Sequence, residues 1–142
     1  MKTVAQLLRT KPAGIVSIRP DAVVLDAIKL LAEKSVGALV VLEDGRLVGI
    51  VSERDYARKI ILQGKSSATA LVSEIMTREI VSVTPAHTNV DCMTLMTEQR
   101  IRHLPVLDNA QVVGVLSMGD ILKDLISEQQ FTIDQLTNYI GR

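Results

Sequence analysis

Residues 15–22, IVSIRPDA, and residues 80–87, IVSVTPAH, align at an offset of 65 positions, and the alignment continues without a gap through Asp55 and Asp120. Identities along it include Ile15/Ile80, Val16/Val81, Ser17/Ser82, Pro20/Pro85, Leu39/Leu104, Val41/Val106, Gly49/Gly114, Ser52/Ser117 and Asp55/Asp120. A chain that matches itself this densely builds one supersecondary unit twice. In 142 residues two such half-sized units fit only as a single compact module.

The coarse pattern is the same in both copies. A short strand (IVSI, IVSV) and a proline lead into apolar residues at helical spacing: Val24, Ala27, Ile28, Leu31 and Ala32 in the first copy, Val90, Met93, Leu95 and Met96 in the second. Two strands joined by a polar turn follow, ALVVL-EDGR-LVGIVS and LPVL-DNAQ-VVGVLS, and a helix closes the unit from Ser52 or Ser117. The order is β-α-β-β-α. Hydrophobic residues form 47% of the chain but aromatic residues only 2%, so aliphatic side chains must fill a helix-on-sheet core.

The reading divides the chain into a first repeat at 5–63, a second at 71–127 and a helical tail at 128–142. Thr3 with Gln6 forms a capping box for a leading helical turn. Thr132 with Gln135 matches a box opening a separate tail helix, whose stripe of Ile133, Leu136, Tyr139 and Ile140 should dock on the module or on a partner.

Several function classes lose ground on composition. Sixteen basic residues balance sixteen acidic ones, which removes the positive field that draws nucleic acid. Cys92 is alone and only His87 and His103 accompany it, so neither an internal disulfide nor a Cys/His metal site is expected. Cys92 reads as a small apolar helix residue. No apolar run approaches membrane-spanning length and no secretory leader is evident, so the expected location is cytoplasmic, with no membrane partner. Without a Walker or Rossmann glycine pattern, a Ser/His/Asp set or a metal cluster, the chain is not expected to be an enzyme.

The repeated G-apolar-apolar-S-x-x-D ending, GIVSERD and GVLSMGD, reads in two ways. Serine at an N-cap with an acid three residues on is a helix-start signature needing no ligand. Alternatively, the free N–H groups of a helix start and a carboxylate beside them suit a ribose phosphate.

The β-α-β-β-α unit, this ending and the tandem pairing together resemble cystathionine-β-synthase (CBS) domains, over about residues 5–126. The resemblance implies an α+β fold, two repeats packed sheet to sheet about a pseudo-twofold axis, and two clefts for adenosine ligands. AMP is the first expectation, with NAD(H) and ATP as alternatives and no metal. It implies that Asp120 with Ser117, and Asp55 with Ser52, hold ribose in one cleft each. Adenine would lie on the strand opening the other repeat, beside Thr10, Ala13 and Ile15 in the Asp120 cleft and beside Thr77 and Ile80 in the Asp55 cleft. Arg102 and His103 at the start of the second copy's middle strand, with Arg54 reaching across, make the Asp120 cleft the expected stronger site. The first copy has Gly37 and Ala38 where the second has the basic pair. The resemblance further implies a homodimer that senses a nucleotide for an unnamed partner protein. The competing reading is a structural dimerisation module whose Ser-x-x-Asp pairs are helix caps alone.

Overall fold

The computed structural model describes residues 1–12 and 14–141. Its elements run α1 (Val4–Leu8), β1 (Ser17–Ile18), α2 (Val24–Lys34), β2 (Ala38–Glu43), β3 (Arg46–Ser52), α3 (Glu53–Tyr56), α4 (Val72–Ile75), α5 (Asn89–Gln99), β4 (His103–Asp108), β5 (Gln111–Ser117) and α6 (Met118–Ile140), with a π-helical turn at Ala57–Ile61 extending α3. β1 pairs parallel to β2, and β2 antiparallel to β3. In the second copy the expected first strand shrinks to one parallel bridge, Val83 to Val106, beside the β4–β5 hairpin. Pro105 stands where the first copy has Val40, and it has no N–H to give to a neighbouring strand.

The two cores exchange helices. Val72, Ile75 and Met76, at or just after α4, pack with Val24, Leu31, Leu39, Val51 and Ile60 of the first copy. Val4 and Leu7 of α1 pack instead with Val83, Cys92, Met96, Leu104, Leu116 and Ile121 of the second. Each helix is tied down by matching backbone bonds: Val4 N–H to the His87 carbonyl (2.7 Å) and Ala5 N–H to Pro85 (3.0 Å), Val72 N–H to Ala22 (2.8 Å) and Ser73 N–H to Pro20 (2.9 Å). Val72 and Ile75 are 0% exposed and Met76 6%, so each contributes roughly 1.5–3 kcal/mol by burial. The repeated glycine makes room for this. A Cβ on Gly49 would lie 2.6 Å from the Met76 sulfur, and one on Gly114 would lie 2.6 Å from a Leu8 methyl.

Two expectations from the sequence are corrected. α5 buries Asn89, Cys92 and Met96 rather than a face built on Val90, which is 44% exposed. Asn89 takes the place of Val24 because its amide donates to the buried Asp124 at 2.9 Å, and Lys2 pairs with the same carboxylate at 2.6 Å. Cys92 lies in this core, where burial, and then the Asp91 charge, push its thiol up to about 11, so it stays protonated. α6 is one continuous helix through the tail; Thr132 does not open a new one but donates its hydroxyl to the Glu128 carbonyl at 3.1 Å. Ile133, Leu136, Tyr139 and Ile140 are exposed on it, so the stripe does not dock on its own module.

Both hairpins turn through two residues of positive φ, Asp44 (51°) with Gly45 (79°), and Asn109 (50°) with Ala110 (64°). This is the geometry that favours Asn-Gly or Asp-Gly. Ala110 carries a Cβ penalty that Gly45 escapes. Ala110→Gly should therefore raise stability by about 0.5–1 kcal/mol, read as a higher denaturation midpoint at unchanged slope; a lower midpoint contradicts the strain assignment.

Candidate functional site

Ser52 and Ser117 each cap a helix reciprocally. The Asp55 N–H donates to Ser52 Oγ (3.2 Å) while Ser52 N–H donates to Asp55 Oδ2 (3.0 Å). The Asp120 N–H donates to Ser117 Oγ (3.1 Å) while Ser117 N–H donates to Asp120 Oδ2 (2.8 Å). The capping reading of the motif is thus realised twice. Capping leaves the second carboxylate oxygen available for other work, and there the copies part.

Asp55 Oδ1 accepts from the Thr77 hydroxyl and from Lys59 Nζ, both at 3.2 Å. Thr77 is delivered by the segment after α4, whose backbone pairs with the edge of β3: Thr77 N–H to the Ile50 carbonyl at 2.8 Å, and Ile50 N–H to Thr77 at 3.0 Å. Asp120 has a different partner. Lys11 Nζ donates to Asp120 Oδ2 at 2.7 Å and to the Val115 carbonyl at 2.8 Å. Burial works against the Asp120 charge, but Lys11 and the Ser117 N–H outweigh it and hold the carboxyl below its usual range.

A cleft of about 510 Å³ opens between the copies, lined by Gly37, Ala38, Ile50, Ser52, Arg54, Asp55, Thr77, Ile80, Arg102 and His103, with Arg58, Lys59 and Arg100 also on its wall. That volume suits a small organic ligand. The structure therefore groups the expected residues differently. Arg54, Arg102 and His103, assigned from sequence to Asp120, line the same cleft as Asp55, while Thr10, Ile15, Ser117 and Asp120 are not on its wall. The reason is the small first copy at the axis: a Cβ on Gly37 would sit 3.1 Å from His103 Nε2, so the start of β4 lies against the start of β2. Arg54 crosses between the copies, donating from Nη1 to the Arg100 carbonyl at 3.2 Å. Thr10 spends its hydroxyl on the Leu7 carbonyl at 2.8 Å, Ile15 is 36% exposed, and Ala13 lies outside the described residues.

Sequence reasoning missed Lys11, Lys59, Arg58 and Arg100. Arg100 ends α5 in the left-handed conformation, φ 55°, as Ser35 ends α2 at φ 54°. Lys59 stands four residues after Asp55 on the expected helix, a spacing that pairs opposite charges; Lys11 carried no signal, because its partner lies across the fold. Among the described residues no group of three His, Cys, Asp or Glu is placed to hold a metal ion.

His103 faces Ser117 in the β4–β5 ladder, so it also stands near Asp120. Burial lowers its pKa from the usual 6.5; the Asp120 charge opposes this, and Lys11, Arg102 and Arg54 add to it.

A duplicated α+β unit whose two copies jointly line one cleft with a carboxylate, guanidinium groups and an imidazole is a paired-repeat module. Comparison with known proteins gives its family. The CBS domain family matches residues 4–62 and again 72–127, and the chain belongs to that family. It is 42% identical over 125 residues to a mitochondrial CBS domain-containing protein of Arabidopsis thaliana, CBSX3, covering 84% of this chain and 61% of that protein's length. Among solved structures it is similar to a protein with CBS domains from Burkholderia ambifaria, at 50% identity and TM-score 0.88, over 93% of this chain and 99% of that one. It is also similar to the CBS domain pair of protein MJ0100, solved with 5′-methylthioadenosine and S-adenosyl-L-methionine, at 25% identity and TM-score 0.80, over 90% of this chain and 98% of that one. The chain is accordingly a CBS-domain pair, a regulatory class of module. No described helix is long and apolar enough to cross a membrane.

The His103 shift fixes a sign. Its folded pKa lies below the unfolded value of 6.5, so the unfolded chain takes up a proton first as pH falls, and stability drops from near 6.5 until the folded imidazole also protonates. The melting temperature should therefore decline below pH 6.5, and His103→Gln should flatten that part of the profile; an unaltered slope in the variant contradicts the assignment.

Proposed function

We propose that this chain is a regulatory CBS-domain pair that binds an adenine nucleotide in the Asp55 cleft. The observation that carries the reading is the meeting, in one cleft of about 510 Å³, of a buried carboxylate from the first copy with Arg102 and His103 from the second. A ribose diol would donate to Asp55 in place of Thr77 and Lys59, with Ser52 holding the carboxylate in position. A 5′-phosphate would face Arg54, Arg102 and His103, where charge-assisted hydrogen bonds are strongest. Adenine would rest on Ile80, with Thr77 and the backbone at its edge. The adenosine derivatives named with MJ0100 support this ligand class.

AMP fits the site first. ATP or NAD(H) would carry further phosphates toward Arg58 and Arg100, which also line the cleft. The cleft spans both copies, so a ligand in it binds one packing of the copies more tightly than another, and that difference is the signal it can send. The module would act as a homodimer on a protein partner and would perform no chemistry of its own. The second reading, a dimerisation module, rests on the two complete capping boxes, which need no ligand.

A thermal-shift series with AMP, ADP, ATP, NAD and NADH separates them. A ligand at 100 times its Kd adds about 2.7 kcal/mol of stability. The nucleotide reading expects a rise in melting temperature that is lost in Asp55→Asn, which keeps the shape of the capping side chain, and is reduced in Arg102→Ala. No rise with any of the five in the wild type leaves the dimerisation reading standing.

A further inference from the structure

The segment leading into the first copy is longer than its counterpart. α1 and α4 match at an offset of 68, through Val4/Val72, Leu7/Ile75 and Leu8/Met76, whereas the strands that follow match at 65, so three extra residues lie between Leu8 and Ile15. Lys11 is in that insertion. Its ammonium makes two contacts, and each replaces one that Thr77 makes in the other cleft. The Thr77 N–H donates to the Ile50 carbonyl and its hydroxyl to Asp55; Lys11 Nζ donates to Val115, the counterpart of Ile50, and to Asp120, the counterpart of Asp55. The cation supplied to Asp55 by its own helix, Lys59, has no counterpart there, because the matching position is Asp124.

We propose that Lys11 makes the Asp120 cleft selective for phosphorylated adenosine ligands over unphosphorylated ones. The proposal rests on the adenine-nucleotide reading of the family motif and extends it to the second cleft. Asp120 Oδ1 has no hydrogen-bond partner in the described structure, while Oδ2 holds both Ser117 and Lys11. A diol engaging both oxygens competes with the lysine. Once displaced, the ammonium keeps only the Val115 carbonyl, and its side chain is just 34% exposed. A partly buried cation without a counter-ion is costly. A ligand that brings its own phosphate replaces the lost carboxylate; adenosine brings nothing. On the Asp55 side a diol displaces the neutral Thr77 hydroxyl and also Lys59, whose ammonium keeps the Ile75 carbonyl at 2.9 Å as that of Lys11 keeps Val115.

Calorimetric titration of AMP and adenosine tests this. Wild type, Asp55→Asn, and Asp55→Asn combined with Lys11→Gln are compared, each checked for an intact cooperative melt. In Asp55→Asn the Asp120 cleft should bind AMP roughly tenfold or more tightly than adenosine. Adding Lys11→Gln should weaken AMP and strengthen adenosine, so that the preference collapses. A preference unchanged by Lys11→Gln overturns the proposal, as does a gain for both ligands, which would make Lys11 a simple plug. Loss of all binding in Asp55→Asn, with the wild type still binding AMP, also overturns it and leaves the Asp55 reading intact. A wild type that binds neither ligand removes both.

Discussion

Met76 lies on Gly49 and Leu8 on Gly114 with no room for a single Cβ between them, and the site depends on that close approach. Because α4 can lie flat on β3, Thr77, two residues past its end, meets Ile50 in two backbone bonds and reaches Asp55 with its hydroxyl. Because α1 lies on the second copy in the same way, the segment after it reaches Asp120. The apolar docking that completes each core is therefore also what carries Thr77 to Asp55 and Lys11 to Asp120. Burial drives it, and the repeated glycine permits it.

The Ser-x-x-Asp motif closes a capping box in each copy. One carboxylate oxygen closes the capping box, which satisfies helix-start N–H groups, and this fixes the side chain so that the other oxygen faces away from the helix. What distinguishes the copies is the company each carboxylate keeps: at Asp55 the second oxygen accepts from the Thr77 hydroxyl and Lys59, whereas at Asp120 the inserted Lys11 shares the capping oxygen with the Ser117 N–H and the second oxygen accepts no hydrogen bond among the described residues.

Much of the fold was legible in the sequence because duplication makes every local signal appear twice. The β-α-β-β-α order, the hairpins and both caps follow from spacing and turn chemistry alone. The departures occur where the copies stop matching. Pro105 removes a donor that Val40 has, and the first strand fades to a bridge. Asn89 replaces Val24 because of Asp124, a residue 35 positions away, so helical periodicity pointed to Val90 instead. Arg54, Arg102 and His103 were legible as phosphate-binding candidates but not as lining one cleft with Asp55, which follows from the packing of His103 against Gly37. Lys11 was not legible at all: its partner lies 109 positions away, and an insertion is the one place where the repeat gives no guide.

The central claim is that one cleft joins a ribose-binding carboxylate of the first copy to a phosphate-binding wall of the second. A crystal structure of the protein with AMP tests it most directly. The account predicts a nucleotide with its ribose hydroxyls on Asp55 and its phosphate among Arg54, Arg102 and His103. An empty cleft at saturating AMP, or a nucleotide seated with its phosphate away from these three residues, contradicts it.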